Sequence, residues 1–410
     1  MDILQKYMLE CDLCGACVDV CPSYNDLGII TDLYDYLEES AGPELLPRNE
    51  HDIRMCYTCN ICTVSCPKDL GIRKLIAAAR EKKTKQFGKS EEQGLADPFA
   101  PNNMYHKIGD WEPPVTFKNE GKKSDVIYFP GCAASCMNKV VGKSTVKVMD
   151  ACGVDYSVMS GVDFCCGSVS FGAGNPSPLQ KIGQKNIDEI NRRGAKVLVT
   201  TCPGCYRAFK IIYPMLFGEL EFDVLQTSEY LMQLVQKNKL VFKRDMKEYL
   251  TQKGLIADSG RDGDLVLYYQ DPCHLTRAVG MHEAPRLVLE AVPNVSLSNP
   301  TPENSACCGF GGGVRTVFPE KSLEQAAQIH EMAKAAGSDA IITNCGGCMK
   351  NIIEGGMNAN GLPVFDLAEF ISLACGNPAT ERDDEKLVRL SNKALIHCLS
   401  RYDFDPYGDK

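Results

Sequence analysis

At 410 residues the chain is long enough for two or three domains that each bury a core, and 44% apolar content with a net charge of −9 is an ordinary globular balance. The acidic excess excludes a nucleic-acid surface, which needs a basic face against the phosphates, so no nucleic-acid partner is expected. No run of about eighteen apolar residues occurs, so no direct membrane span is expected and any membrane attachment must come through a partner.

Cysteine is the outlier: of 22 cysteines, 18 fall into repeated motifs. The opening residues Met1-Asp-Ile-Leu-Gln-Lys-Tyr lack the apolar core of a signal peptide. The cysteines are therefore expected to be metal ligands in a reducing cytoplasm, not disulfides.

The first motif is Cys11, Cys14, Cys17 and Cys21-Pro22, and it recurs as Cys56, Cys59, Cys62 and Cys66-Pro67. Each run has the C-x2-C-x2-C-x3-C-P spacing in which three cysteines clamp one [4Fe–4S] cubane and the fourth crosses to a second. This predicts one cubane on Cys11, Cys14, Cys17 and Cys66, and another on Cys56, Cys59, Cys62 and Cys21. Leu33, Tyr36 and Leu37 between the runs, and Ile72, Leu75, Ile76 and Ala79 after them, have helical spacing. Residues 1–83 are thus expected to form an all-α module with two cubanes. Residues 84–124 lack sustained periodicity and read as a linker draped over the surface, with Trp111 as a partly buried aromatic in a long loop.

A longer pattern follows twice. In the first copy a short apolar run leads to Cys132, a helix suits 139–151, and a strand suits 154–159. A cysteine- and glycine-bearing loop spans 164–174 with Cys165-Cys166-Gly167. A helix over 178–193 then precedes a strand ending at Cys202-Pro-Gly-Cys205. The second copy places Cys273, Cys307-Cys308-Gly309 and Cys345-Gly-Gly-Cys348 in the same order, with 33 and 36 intervening residues against 32 and 35. Alternating strand and helix predicts a parallel sheet in each copy, with cysteines at the carboxyl ends of the strands. The expected domains are 125–260 and 261–375, related by a pseudo-twofold so that both cysteine rims face one cleft. The charged extension 376–410 carries a short helix at 384–399 and no assigned chemistry.

Five thiolates per copy exceed the four that saturate zinc or a cubane. Adjacent cysteines chelate one tetrahedral ion poorly, so the pair suits neighbouring irons of a larger or more open cluster. Structural zinc would leave one cysteine over in each copy.

This arrangement resembles the CCG domain of the heterodisulfide reductase family. The resemblance implies that Cys132, Cys165, Cys166, Cys202 and Cys205 hold one noncubane [4Fe–4S] cluster, and that Cys273, Cys307, Cys308, Cys345 and Cys348 hold another. Residues 1–83 resemble the α-helical ferredoxin module of that family's C subunit and of succinate dehydrogenase iron–sulfur subunits. The fold class is accordingly α/β with an N-terminal all-α module, an α-helical ferredoxin followed by two duplicated parallel-sheet CCG domains.

The resemblance implies electrons passing from two cubanes to two noncubane clusters that reduce a small-molecule disulfide, such as the coenzyme M–coenzyme B heterodisulfide, to two thiols. The alternative it implies is a non-catalytic electron-transfer subunit of a larger anaerobic oxidoreductase, of the glycolate, lactate, glycerol-3-phosphate dehydrogenase or benzoyl-CoA reductase type. Either role needs an electron-donating partner subunit, a membrane cytochrome b or quinone module or a soluble flavin subunit. The expected location is the cytoplasm, with contact to the inner membrane made through that partner.

Near the predicted ligands, Gly167, Gly309, Gly311, Gly312 and Gly313 either permit a tight backbone path or leave a cluster face open to backbone N–H groups. His274 is a candidate proton donor or a hydrogen-bond partner of sulfur. Arg207, Arg277, Arg315 and Lys350 either hold an anionic substrate or offset thiolate charge. Cys136, Cys152, Cys375 and Cys398 read as small buried hydrophobes, with Cys136 notable for lying four residues after Cys132.

Overall fold

The computed structural model describes residues 10–24, 28–38, 53–87, 113–161, 163–257, 260, 262–299, 301–302, 305–357 and 360–389. Trp111, Cys398 and the expected helix beyond residue 389 lie outside them.

In the N-terminal module, the apolar stripes of helices α1 (Gly28–Glu38) and α2 (Ile72–Phe87) meet in one core. Leu33 and Tyr36 from α1 are buried there against Ile72, Leu75, Ile76 and Ala79 from α2. The two cysteine runs share one backbone path. Leu13 and Thr58 take positive φ at matching places, Gly15 and Asn60 do so two residues later, and each run then makes a single helical turn, Ala16–Asp19 or Ile61–Val64. Left-handed residues on both sides of Cys14 and Cys59 curl each run around a common centre.

The rest of the described chain builds two four-stranded parallel sheets of identical strand order. The first is β2-β1-β3-β4, from β1 (Val126–Pro130), β2 (Ser157–Ser160), β3 (Val197–Thr200) and β4 (Asp223–Gln226). The second is β6-β5-β7-β8, from β5 (Leu265–Tyr269), β6 (Val295–Leu297), β7 (Ala340–Thr343) and β8 (Val364–Asp366). Tyr128 pairs with both Val158 and Val199 in one sheet, as Leu267 pairs with Leu297 and Ala340 in the other. The inner strands β1, β3, β5 and β7 are short apolar runs almost wholly buried, which parallel sheets covered by helices require.

The duplication extends to the caps. Helix α3 (Thr227–Gln236) opens on a capping box in which Glu229 accepts from the Gln226 amide at 2.7 Å, and helix α4 (Leu367–Ala374) repeats it with Glu369 and Asp366 at 3.4 Å. The domains share a core in which Val148, Leu231 and Leu234 of the first pack with Leu265, Val288, Phe370 and Ile371 of the second.

Two segments differ from expectation. The loop at 164–174 contains a short helix, Ser168–Ala173, bounded by left-handed Gly167 (φ 73°) and Gly174 (φ 98°), each of which reverses the chain cheaply. The end of the expected linker is seated on the first sheet domain, with Val115 and Phe117 buried against Tyr128, Met149, Tyr156 and Val158.

Candidate functional site

β1, β3 and β7 each end two residues before a cysteine, and β5 ends four before Cys273. This topology puts the cysteines on one rim of each sheet. The two rims open into a single cleft with about 1650 Å³ of empty space, its mouth included. Cys132, Cys166, Cys202 and Cys205 line one wall, and Cys273, Cys308, Cys345 and Cys348 the other. Cys165 and Cys307, the first of each adjacent pair, are buried behind this lining.

Similar, though not all equivalent, contacts hold the two paired-cysteine loops. Gly167 N donates to Cys165 Sγ at 3.3 Å, and Gly309 N to Cys307 Sγ at 3.4 Å. Buried asparagines pin the carbonyls: Asn186 Nδ2 reaches Cys165 O at 2.7 Å, and Asn351 Nδ2 reaches Cys308 O at 2.5 Å. Sulfur meets sulfur at equivalent places, Cys205 with Cys166 at 3.2 Å and Cys348 with Cys308 at 3.0 Å. Gly131 (φ 67°) presses its backbone onto Cys205, so a Cβ there would stand 2.8 Å from that sulfur. In the second copy a buried Asp271–Arg286 pair, at 2.7 Å, braces the turn before Cys273. An all-thiol donor set with amide N–H groups on sulfur and backbone pressed against it suits iron–sulfur chemistry, and not a hard cation that takes oxygen ligands.

In the N-terminal module Cys17 has Cys11, Cys14 and Cys66 as charged neighbours, while Cys21 has Cys56 and Cys59. Cys62 has Cys56, Cys59 and Cys21 among its neighbours. Cys11, Cys14, Cys17 and Cys66 also line one small pocket together, and Cys17 lies near Cys62 as well. Cys14 is exposed beside the exposed Leu13, whereas Cys59 is buried. Cys307 faces both Cys59 and Cys273. The three buried thiols pack together, and their mutual influence holds Cys59 and Cys273 down in pKa and pushes Cys307 up.

The cationic candidates separate by position. Arg207 lines the cleft and lies 6.0 Å from the Phe171 ring centroid; burial and then the Arg73 guanidinium pull its pKa down. Arg73, which sequence reading missed, also lines the cleft and has Cys56, Cys273, Cys62 and Cys59 as charged neighbours. Arg315 lines the cleft but is paired with Glu354 at 2.5 Å. Lys350 lines it too, and burial lowers its pKa to about 8. Arg277 is turned away from the cleft lining, donating to Cys59 O at 2.8 Å and Ser305 O at 2.7 Å. His274 stands in the wall with Nε2 3.5 Å from Thr58 Oγ1. Burial, then Arg73 and Arg207, holds its pKa well below the usual histidine range, so its imidazole is neutral at physiological pH.

Gly311, Gly312 and Gly313 line the cleft, while Gly167 and Gly309 serve the sulfur contacts behind it. Val388 of the C-terminal extension reaches the cleft, and Leu387 beside it is buried. That segment is tied down by Arg382, which pairs with Glu369 at 2.7 Å.

A cysteine-rich domain family, CCG, matches residues 126–210 and 267–353, and a 4Fe-4S dicluster domain family matches residues 10–71. The D subunit of the dihydromethanophenazine:CoB–CoM heterodisulfide reductase of Methanosarcina mazei is 28% identical, over 90% of this chain and 94% of that protein. The B subunit of the fumarate reductase (CoM/CoB) of Methanothermobacter marburgensis is 26% identical over 90% of this chain and 73% of its own length. The EtfAB:quinone oxidoreductase of Syntrophomonas wolfei is 24% identical over 88% of this chain and 57% of its own. Among solved structures, a hypothetical protein from Helicobacter pylori aligns with a TM-score of 0.57 at 10% identity, covering 94% of this chain and 73% of that one, a likeness of fold alone.

Proposed function

We propose that this chain, which is similar to the D subunit of a heterodisulfide reductase, is an iron–sulfur protein whose cleft reduces a small anionic disulfide to two thiols. The observation that carries the reading is one cleft with four cysteine sulfurs on each of two facing walls. Reductive cleavage consumes two electrons and two protons and yields two thiols, R–S–S–R′ becoming RSH and R′SH. When bound, two cubane [4Fe–4S] clusters on the N-terminal cysteines and two noncubane [4Fe–4S] clusters on the rims would supply single electrons and a sulfur-binding face on either side of the S–S bond.

The protein's own groups divide the remaining work. Arg207 and Arg73 hold an anionic end of the substrate, because both line the cleft and neither is paired with a carboxylate among the described residues. Arg315 and Lys350 sit on the opposite side with Glu354 and offset rim charge. Met137, Val169 and Phe310 line the cleft with apolar surface and exclude water from the reacting sulfurs. His274, neutral and oriented through Thr58, relays a proton by giving one from its N–H while taking another at its second nitrogen. Two walls suit this chemistry because each half of a broken disulfide is held until its own electron arrives.

A second reading is favoured by the likeness to the quinone oxidoreductase and fumarate reductase chains. Under it the chain relays electrons within a larger complex and its cleft takes no disulfide. Both readings call for an electron-donating partner, a membrane cytochrome b or quinone module or a soluble flavin subunit.

Anaerobic holoprotein with reduced viologen and a panel of disulfides separates the two. The disulfide reading expects two thiols per two electrons from the preferred substrate. It also expects Arg207→Gln to raise KM about tenfold for an anionic disulfide and to leave a neutral one unaffected, the loss of one charge-assisted hydrogen bond. Fully reduced holoprotein that releases no thiol from any disulfide supports the relay reading.

A further inference from the structure

The two cysteine-rich sites are built alike but approached differently. The segment 56–60 of the N-terminal module lies against the second site. Tyr57, Cys59, Cys307 and Val314 form one buried cluster, with Cys273 packed on it, and Tyr57 OH reaches Lys321 O at 3.2 Å. The backbone approach is close enough that a Cβ on Gly312 (φ 66°) would stand 2.0 Å from Cys56 O, and one on Gly311 2.5 Å from Tyr57 O. The first site meets this module through Arg80, whose Nη1 donates to Gly172 O at 2.7 Å while its other nitrogens hold Ile53 O and Cys56 O.

Alignment of the two copies shows which residues make the difference. Counting from each paired cysteine, Gly311 and Gly312 correspond to Val169 and Ser170 in the first copy. Arg277 stands four residues after Cys273, and the residue four after Cys132 is Cys136. The backbone space and the guanidinium that receive the module are thus features of the second copy.

Arg277 is the residue that joins them. Its Nε and one amino group hold the carbonyls of Cys59 and Ser305, and its own carbonyl accepts from Asn60 Nδ2 at 2.8 Å. Its remaining amino group, Nη2, is buried with no hydrogen-bond partner. Cys273, Cys59 and Cys307 surround the guanidinium, together with Asp271, which is itself paired with Arg286. A fixed positive charge beside these sulfurs favours an added electron there over one at the first site.

We propose that Arg277 is a positioning residue that fixes the segment 56–60 to the second cysteine-rich site and makes that site the first to be reduced, the first site receiving its electron across the cleft. This rests on the reading that iron–sulfur clusters occupy these cysteines. In the step concerned one electron moves from the centre on Cys21, Cys56, Cys59 and Cys62 to the second site, and an external one-electron reductant replaces it. No bond forms or breaks and no proton moves.

The test is a stepwise dithionite titration of anaerobic holoprotein followed by electron paramagnetic resonance. Cys165→Ser and Cys308→Ser proteins identify which signals belong to the first and second sites. In the unsubstituted protein the second-site signal changes first. Arg277→Gln is expected to lower the second site's midpoint so that the order is lost or reversed, and to slow its reduction about tenfold or more, the factor that loss of one hydrogen bond to a charged group corresponds to. Arg277→Lys keeps the charge without the two-carbonyl fork, so the order returns while the rate stays slow. An unchanged order and rate in Arg277→Gln at full iron content overturns the inference. Should Arg277→Gln lose iron, Arg277→Lys decides it, since a rate equal to that of the unsubstituted protein overturns the positioning role. Absence of iron from the second site in the unsubstituted protein instead overturns the cluster reading beneath it.

Discussion

Replacing Cys308 with serine is expected to abolish disulfide reduction and to strip iron from the second cysteine-rich site, while the [4Fe–4S] signals of the N-terminal module persist. Cys308 is buried, lies 3.0 Å from Cys348, and has its carbonyl held by Asn351. The loop is therefore already fixed, and serine changes the donor without freeing the backbone. A serine hydroxyl does not ionise at neutral pH and is a hard donor where iron–sulfur chemistry takes thiolates. The effect is expected to stay mostly local because Cys11, Cys17, Cys21, Cys56, Cys62 and Cys66 pack on a separate core, while Cys59 packs beside Cys307. The loss of turnover is expected to reach at least a hundredfold, since the reaction needs both walls and removing one member of a concerted set removes most of its effect. Iron analysis beside a thiol-release assay checks it; retained turnover in this variant would remove Cys308 from the catalytic set.

Gly312→Ala is expected to be nearly as damaging through a different cause. At φ 66° an alanine is strained, and its Cβ would stand 2.0 Å from Cys56 O, a backbone atom that cannot swing aside. Strain and overpacking together correspond to a loss of roughly 2–4 kcal/mol. Part of that is relieved by the N-terminal module lifting from the second sheet domain, so electron delivery falls along with stability. Gly153→Ala is the control, because that glycine has φ 63° with open space around its Cβ position. It carries the backbone strain alone and costs about 1 kcal/mol. Denaturant midpoints for the two variants give the comparison, and equal losses would contradict the docking contact.

Much of this architecture was legible in the chain. Apolar runs ahead of Cys132, Cys202 and Cys273 marked three of the strands, since short β-rich runs before ligand-bearing turns leave few alternatives. The repeat at an offset of about 140 residues implied two like domains, and the two sheets have the same order.

The residues that escaped are those whose partners are remote in sequence. Arg73 carried no local signal in the sequence, yet it lines a cleft with Arg207 and His274. Arg277 read as one of several cations near a ligand, and only the fold shows it clasping Cys59 O, 218 positions away. Glu354 gave no signal as the partner of Arg315, because an ion pair across the fold leaves no local period. The glycines at 311 and 312 were ambiguous for the same reason: the object they make room for is the backbone of another module.

The most direct test of the central claim is electron paramagnetic resonance on mildly oxidised, anaerobically purified holoprotein, recorded with and without candidate thiols such as coenzyme M. If the facing cysteine walls hold the two halves of a disulfide, one thiol produces a new signal, and Cys308→Ser or its first-copy equivalent Cys166→Ser removes that signal. Spectra that show the clusters present and unchanged by every thiol tested would contradict a disulfide in this cleft and assign the chain to electron relay.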